Sequence, residues 1–83
     1  MFSAELYTWG TMKQQTFAYK RLKQAREDKD MSQEQMILKL YDKGLQLSRQ
    51  TLFNYESGAS DPQVTDLVVL ADVLGKPIDY FFD

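Results

Sequence analysis

Eighty-three residues make one small domain, near the lower size at which a single core holds a fold, and 43% hydrophobic content without low-complexity sequence predicts that it folds. The absence of cysteine removes disulfides and cysteine-ligated metals and suits a reducing cytoplasm; no apolar run nears the length of a membrane span, and the N-terminus lacks a signal peptide's basic-then-apolar order. A formal net charge of −2 weighs mildly against a nucleic-acid partner when the chain is taken whole.

Met1 to Gly10 carries Phe2, Leu6, Tyr7 and Trp9, many large apolar groups for a tail. They suit either a short helix from Ser3 to Gly10 or an arm that packs on a partner subunit, and Met12 is a second candidate start. Residues 1–15 are therefore read as an N-terminal extension and residues 16–83 as the folded domain. The first main helix is expected from Thr11 or Thr16 to about Asp28, with Ala18, Leu22 and Ala25 giving a narrow buried stripe. Glu27, Asp28, Lys29 and Asp30 then make a polar turn; they lack the spacing and the liganding glycine of a calcium loop, and no metal site is expected.

The second helix opens at Ser32, which with Gln35 forms a Ser-x-x-Gln capping box. Met36, Ile37, Leu40 and Tyr41 follow on one face. A third helix should start at Ser48 as N-cap and stop at Gly58, a residue that accepts the left-handed C-terminal conformation. Leu52 and Tyr55 are predicted to be buried and Thr51 to face partly inward, which leaves Arg49, Gln50 and Asn54 looking outward. These three are residue types that read base edges in the major groove: arginine forks onto guanine, and glutamine or asparagine pairs bidentately with adenine. They also lie in the first turn and one turn down, the part of a recognition helix that meets bases. A solvated polar face is the plainer reading of three such residues taken alone. Phe53 projects beside Gln50 and Asn54, where it either meets thymine methyls or packs on the segment around Leu45.

After Gly58, the loop Ala59-Ser60-Asp61-Pro62 turns into a fourth helix over about Val64 to Leu74, with Val64, Leu67, Leu70, Ala71 and Leu74 as its buried face and Gly75 as its cap. The last helix spans Pro77 to Phe82, proline standing in its first turn. Ile78, Phe81 and Phe82 recur three to four apart and suit either core packing or a dimer contact. Charge is segregated along the chain. Lys13, Lys20, Arg21, Lys23 and Arg26 face only Glu5 in residues 1–26, whereas Asp61, Asp66, Asp72, Asp79 and Asp83 face only Lys76 in residues 59–83. Such a molecule can turn a basic end toward phosphates.

Several separated motifs recur here in one order: Arg21-Leu22-Lys23-Gln24-Ala25-Arg26, Met31-Ser32-Gln33-Glu34-Gln35, Ser48-Arg49-Gln50-Thr51-Leu52, Asn54-Tyr55-Glu56-Ser57-Gly58, Pro62, and Leu70-Ala71-Asp72-Val73-Leu74-Gly75. Over roughly Phe17 to Phe82 the chain resembles the Cro and phage-repressor type of helix-turn-helix family, small transcription regulators of bacteria and phages. The resemblance implies an all-α fold, a compact five-helix repressor-like DNA-binding domain whose helix-turn-helix is formed by helices two and three. It implies that Gln33 buttresses the recognition helix and reaches the DNA backbone, that Ser60 meets a phosphate, and that Arg26 pairs with Glu56 to tie the first helix to the third. Arg21 and Ser48 complete the backbone candidates, contacts that fix register without reading sequence. One departure is plain: about five extra residues, near Tyr41-Asp42-Lys43-Gly44-Leu45, separate helices that the family joins by a tight turn. Either the second helix runs longer before Gly44 ends it, or the turn carries a small loop; Lys43 would then lie close to the recognition helix and a phosphate.

The expected function is that of a sequence-specific DNA-binding transcription regulator, a phage or mobile-element repressor acting as a homodimer on a palindromic operator in the cytoplasm of a bacterial or phage-infected cell. The same motif serves antitoxins and restriction controllers that regulate their own operons. A protein-interaction module that keeps the fold without binding DNA is the reading of another class. Protein partners on these readings are a toxin, an antirepressor or a C-terminal domain missing beyond Asp83. No cofactor is expected. An enzyme is not expected either, since the sequence has no histidine or cysteine, no glycine-rich phosphate loop and no paired acid with a positioned partner.

Overall fold

The computed structural model describes residues 16–83. Among these described residues four α-helices, α1 (Tyr19–Asp28), α2 (Gln33–Asp42), α3 (Arg49–Ser57) and α4 (Val64–Leu74), are followed by a 3-10 turn, η1 (Ile78–Phe81). The fold is thus all-α, with α2 and α3 as the helix-turn-helix, but the fifth element is 3-10 and not α. Here the chain swings back beside the start of α1, and the tighter 3-10 geometry suits that bend. Phe17 and Phe82 form an isolated antiparallel bridge. Ala18 N–H donates to the Phe81 carbonyl at 2.7 Å, and Asp83 N–H donates to the Thr16 carbonyl at 3.1 Å. This pairing holds Phe17 out of helical conformation, so α1 starts at Tyr19 and not at Thr16; a start at Thr11, like the helix or arm expected within residues 1–10, lies outside the described residues.

Burial follows the helical stripes with three corrections, the first being Ala18, which is the half-buried N-cap of α1 and not a core residue within it because its N–H is drawn to Phe81. Leu22 and Ala25 of α1, Met36 and Leu40 of α2, Leu52 and Tyr55 of α3, and Leu67, Leu70, Ala71 and Leu74 of α4 meet Phe81 in one core, with Met31 and Leu47 from the connections. Tyr41, expected on the inner face of α2, is 62% exposed, and Val64, expected on that of α4, is 77% exposed. Tyr41 lies about 100° around the helix from Leu40, beyond the edge of a narrow stripe. Val64 is the first residue of its helix, at the rim of the core. Among the described residues no helix is long and apolar enough to cross a membrane.

Local chemistry sets the helix ends. At Ser32 both halves of the capping box are made: Gln35 N–H donates to Ser32 Oγ at 3.1 Å, and Ser32 N–H donates to Gln35 Oε1 at 2.8 Å. At the other end of α2, Gly44 takes φ 93°. Its N–H reaches the Tyr41 carbonyl and the Leu45 N–H reaches the Leu40 carbonyl, both at 2.9 Å. This is the two-bond Schellman closure, and it folds half-buried Leu45 back onto the core that holds Leu40. The extra residues therefore extend α2 to Asp42, reverse the chain at Gly44, and leave a short link to Ser48.

The end of α1 uses the same double closure without a glycine. Asp30 N–H donates to the Glu27 carbonyl and Met31 N–H to the Arg26 carbonyl, with Asp30 at φ 56°. An L side chain is strained there. Asp30→Gly is expected to raise stability by about 0.5–1 kcal/mol, read as a higher midpoint in a urea melt; a lower midpoint would show that the aspartate side chain contributes more than its backbone strain costs.

Across the core, buried Tyr55 donates its hydroxyl to the Asp66 carboxylate at 3.0 Å, linking α3 to α4. Burial, and then the bond to Asp66, raise the phenol above its ordinary value. A raised acid is held neutral by the fold, so this contribution is fully present below the unfolded tyrosine pKa, about 10, and is lost as pH climbs through and beyond it. Tyr55→Phe should cost about 0.5–1.5 kcal/mol near neutral pH. It should also lose less stability than the parent between about pH 8 and pH 11. Urea melts at the two pH values check both parts, and equal alkaline losses would contradict the second.

Candidate DNA-recognition face

The outward face of α3 is set by how the helix begins. Ser48 is extended (φ −79°, ψ 160°), and its Oγ accepts the Thr51 N–H at 3.1 Å while lying 2.9 Å from Thr51 Oγ1. The first helical turn therefore carries Arg49 and Gln50. With Leu52, Tyr55 and Glu56 buried, Arg49, Gln50, Phe53 and Ser57 are exposed and Asn54 is half-buried. The helix ends at Gly58, φ 85°, where a Cβ would stand 2.9 Å from the Tyr19 ring, so a side chain there would be strained and would push that ring aside. Ser60, just beyond, donates its N–H to the Asn54 carbonyl at 3.3 Å and so stays at this end of α3.

Behind that face a single carboxylate joins three helices. Arg26 of α1 donates from Nε to Glu56 Oε2 at 2.7 Å and from Nη2 to Oε1 at 3.0 Å. Its Nη1 donates to the Met31 carbonyl at 2.7 Å, and Gln33 of α2 donates from Nε2 to Glu56 Oε1 at 3.1 Å. The two charged side chains are only 8% and 3% exposed. The hydrogen bond to Glu56 raises the Arg26 guanidinium above its ordinary value; burial opposes this, and the charges of Glu56 and Glu27 add to it. Among the described residues no buried side-chain polar atom lacks a partner, so this network holds α3 at a fixed angle to α1 and α2.

In front of the network lies an open depression of about 440 Å³, lined by Lys23, Arg26, Ser32, Gln33, Arg49, Phe53, Glu56 and Ser57. Phe53 is half exposed on its rim, and Leu45 is not among the lining residues but packs on the core. Arg49 Nη1 lies 3.6 Å from Glu34 Oε2, an exposed and therefore weak pair. Gln50 Nε2 donates to Asn54 Oδ1 at 2.9 Å. Two backbone candidates sit elsewhere. Arg21 donates to the carbonyls of Tyr80 at 2.9 Å and Phe82 at 3.0 Å and pairs with Asp83 at 3.2 Å. Lys43 pairs with Asp72 of α4 at 2.9 Å.

Two neighbours of the face escaped the sequence reading. Lys23, counted above only among the basic residues of the N-terminal part, lines the depression; it stands three residues before Arg26 on α1, a spacing that places the two on one side. Glu34 faces Arg49, and its place beside Gln33 was the available signal. The face offers cations, amides and hydroxyls in a concave arrangement, and among the described residues no acidic cluster suits a metal. A family model described as helix-turn-helix matches residues 22–81. Neither a curated protein nor a solved structure matches the chain. Since the family match runs from within α1 through η1 and takes in α2 and α3 whole, the chain belongs to the Cro/repressor-type helix-turn-helix family, whose members are DNA-binding regulators.

Proposed function

We propose that the protein is a sequence-specific repressor of phage or mobile-element type that binds a two-fold symmetric operator as a homodimer in the cytoplasm of a bacterial or phage-infected cell. The observation that carries this reading is the outward face of α3, where Arg49, Gln50 and Asn54 project from a helix anchored by the Arg26–Glu56–Gln33 network. In the major groove Arg49 pairs with guanine, the two amides read neighbouring base edges, and Phe53 meets thymine methyls. Gln33, Ser48 and Ser60 hold the backbone; Arg21 and Lys43 must release Asp83 and Asp72 before they add to it. Occupancy of the operator excludes polymerase.

A second reading, an interaction module or an antitoxin-like protein with a protein partner, is favoured by Leu38 and Tyr41, both more than 60% exposed on α2. Selection from a random duplex pool, with sedimentation of the selected complex, tests the proposal. The expected result is a symmetric site with half-sites about 10 base pairs apart and two chains per duplex. A pool that never enriches gives the lead to the interaction module.

A further inference from the structure

Gln50 and Asn54 are joined by a hydrogen bond across one turn of α3, Gln50 Nε2 donating to Asn54 Oδ1 at 2.9 Å. We infer that these two amides read DNA as one coupled unit, so that the base choice made by each depends on the other. The inference rests on α3 being the recognition helix and goes beyond it by fixing which edges the pair selects.

A carboxamide has one oxygen that accepts and one NH₂ that gives two donors. Bidentate pairing with adenine uses the oxygen on the N6 amino group and one N–H on N7. In the observed pair Gln50 has spent one N–H but keeps Oε1 and the second N–H, the set that adenine needs. Its terminal torsion, otherwise broad, is fixed by the bond to Asn54. Asn54 has one of its oxygen's two lone pairs engaged by Gln50, so its wholly free groups are the two Nδ2 donors. Those suit an acceptor edge, guanine O6 and N7 or thymine O4, better than the amino group of adenine, which would have to share the oxygen with Gln50. The unit therefore favours adenine for Gln50 beside guanine or thymine for Asn54, where two uncoupled amides would favour adenine twice.

The helix tolerates the changes that test this. The Asn54 backbone carbonyl, not its side chain, accepts the N–H groups of Gly58, Ala59 and Ser60, and alanine is the better helix former. The parent, Asn54→Ala, Gln50→Ala and Asn54→Asp are each put through selection from a random duplex pool, with circular dichroism as the check that each is folded. Base preferences are compared within each protein, so that the added charge of the aspartate does not enter.

Against a parental discrimination of about 5- to 150-fold at each of the two positions, Asn54→Ala and Gln50→Ala should each weaken preference at both. Asn54→Asp keeps an acceptor for Gln50 but has no donor, so it should keep the adenine and lose only the neighbouring preference. Folded alanine variants that each relax a single, separate position would overturn the coupling while leaving base reading by α3 intact. A parent that enriches no sequence at all would instead remove the recognition-helix reading, and the coupling with it.

Discussion

Replacing Glu56 by alanine is expected to lower the stability of the protein by about 3–5 kcal/mol, the largest loss for any single residue of the recognition face. The reason is the company the carboxylate keeps. Arg26 is buried, donates twice to Glu56, and would retain only the Met31 carbonyl, while Gln33 would lose its tie to α3. A domain of this size has a total stability of only about 5–10 kcal/mol, so the loss is a large share of it. The melting temperature should fall by at least about 12 °C. A paired substitution, Arg26→Met with Glu56→Leu, removes both charges and keeps the volume; it should cost far less than Glu56→Ala alone. Thermal melts of the two variants make the comparison. Equal losses would show that the packing of Glu56, not an orphaned buried charge, is what matters.

Arg26 itself should lend the protein no pH sensitivity near neutrality. Arg26 is raised above its ordinary value by Glu56. A raised base contributes stability that is whole below its unfolded pKa and is lost only as pH rises through the folded one, and for arginine that window lies in strong alkali.

Truncating Arg49 to alanine is expected to weaken binding to the selected operator by about 5- to 150-fold at fixed salt, and binding to unrelated duplex by much less. The guanidinium is exposed and its pairing with Glu34 at 3.6 Å is weak, so it is free to fork onto guanine. Arg49→Lys should recover only a small part of the operator affinity, because an ammonium lacks the fixed two-donor geometry while keeping the charge. Titrating parent, alanine and lysine proteins against both duplexes checks this. A lysine variant with parental discrimination would assign Arg49 to the phosphates.

What could be read from the sequence was what is settled locally. The Ser32 capping box, the Ser48 cap, the bounds of α4 and the glycines at positions 58 and 75 each depend on a few consecutive residues, and the structure has all of them. The outward set on α3 followed from Leu52 and Tyr55 facing in. What lay beyond reach was decided by distant partners. The start of α1 is displaced by pairing of Phe17 with Phe82, and Arg21 and Lys43 are held by Asp83 and Asp72. Tyr41 and Val64 were misplaced because periodicity gives the centre of a buried stripe, while its width depends on how neighbouring helices cover it. The Arg26–Glu56 expectation came from the family likeness; nothing in the spacing of two residues thirty apart predicts a bond.

Salt titration of binding to random duplex DNA, run with the parent and an Arg49→Ala/Gln50→Ala double variant, tests most directly whether α3 meets DNA. The proposed function predicts binding at about 50 mM salt that weakens steeply as salt rises, with the double variant weaker at every concentration. A folded, dimeric parent that does not bind at that salt, or a double variant that binds as well as the parent, would contradict it.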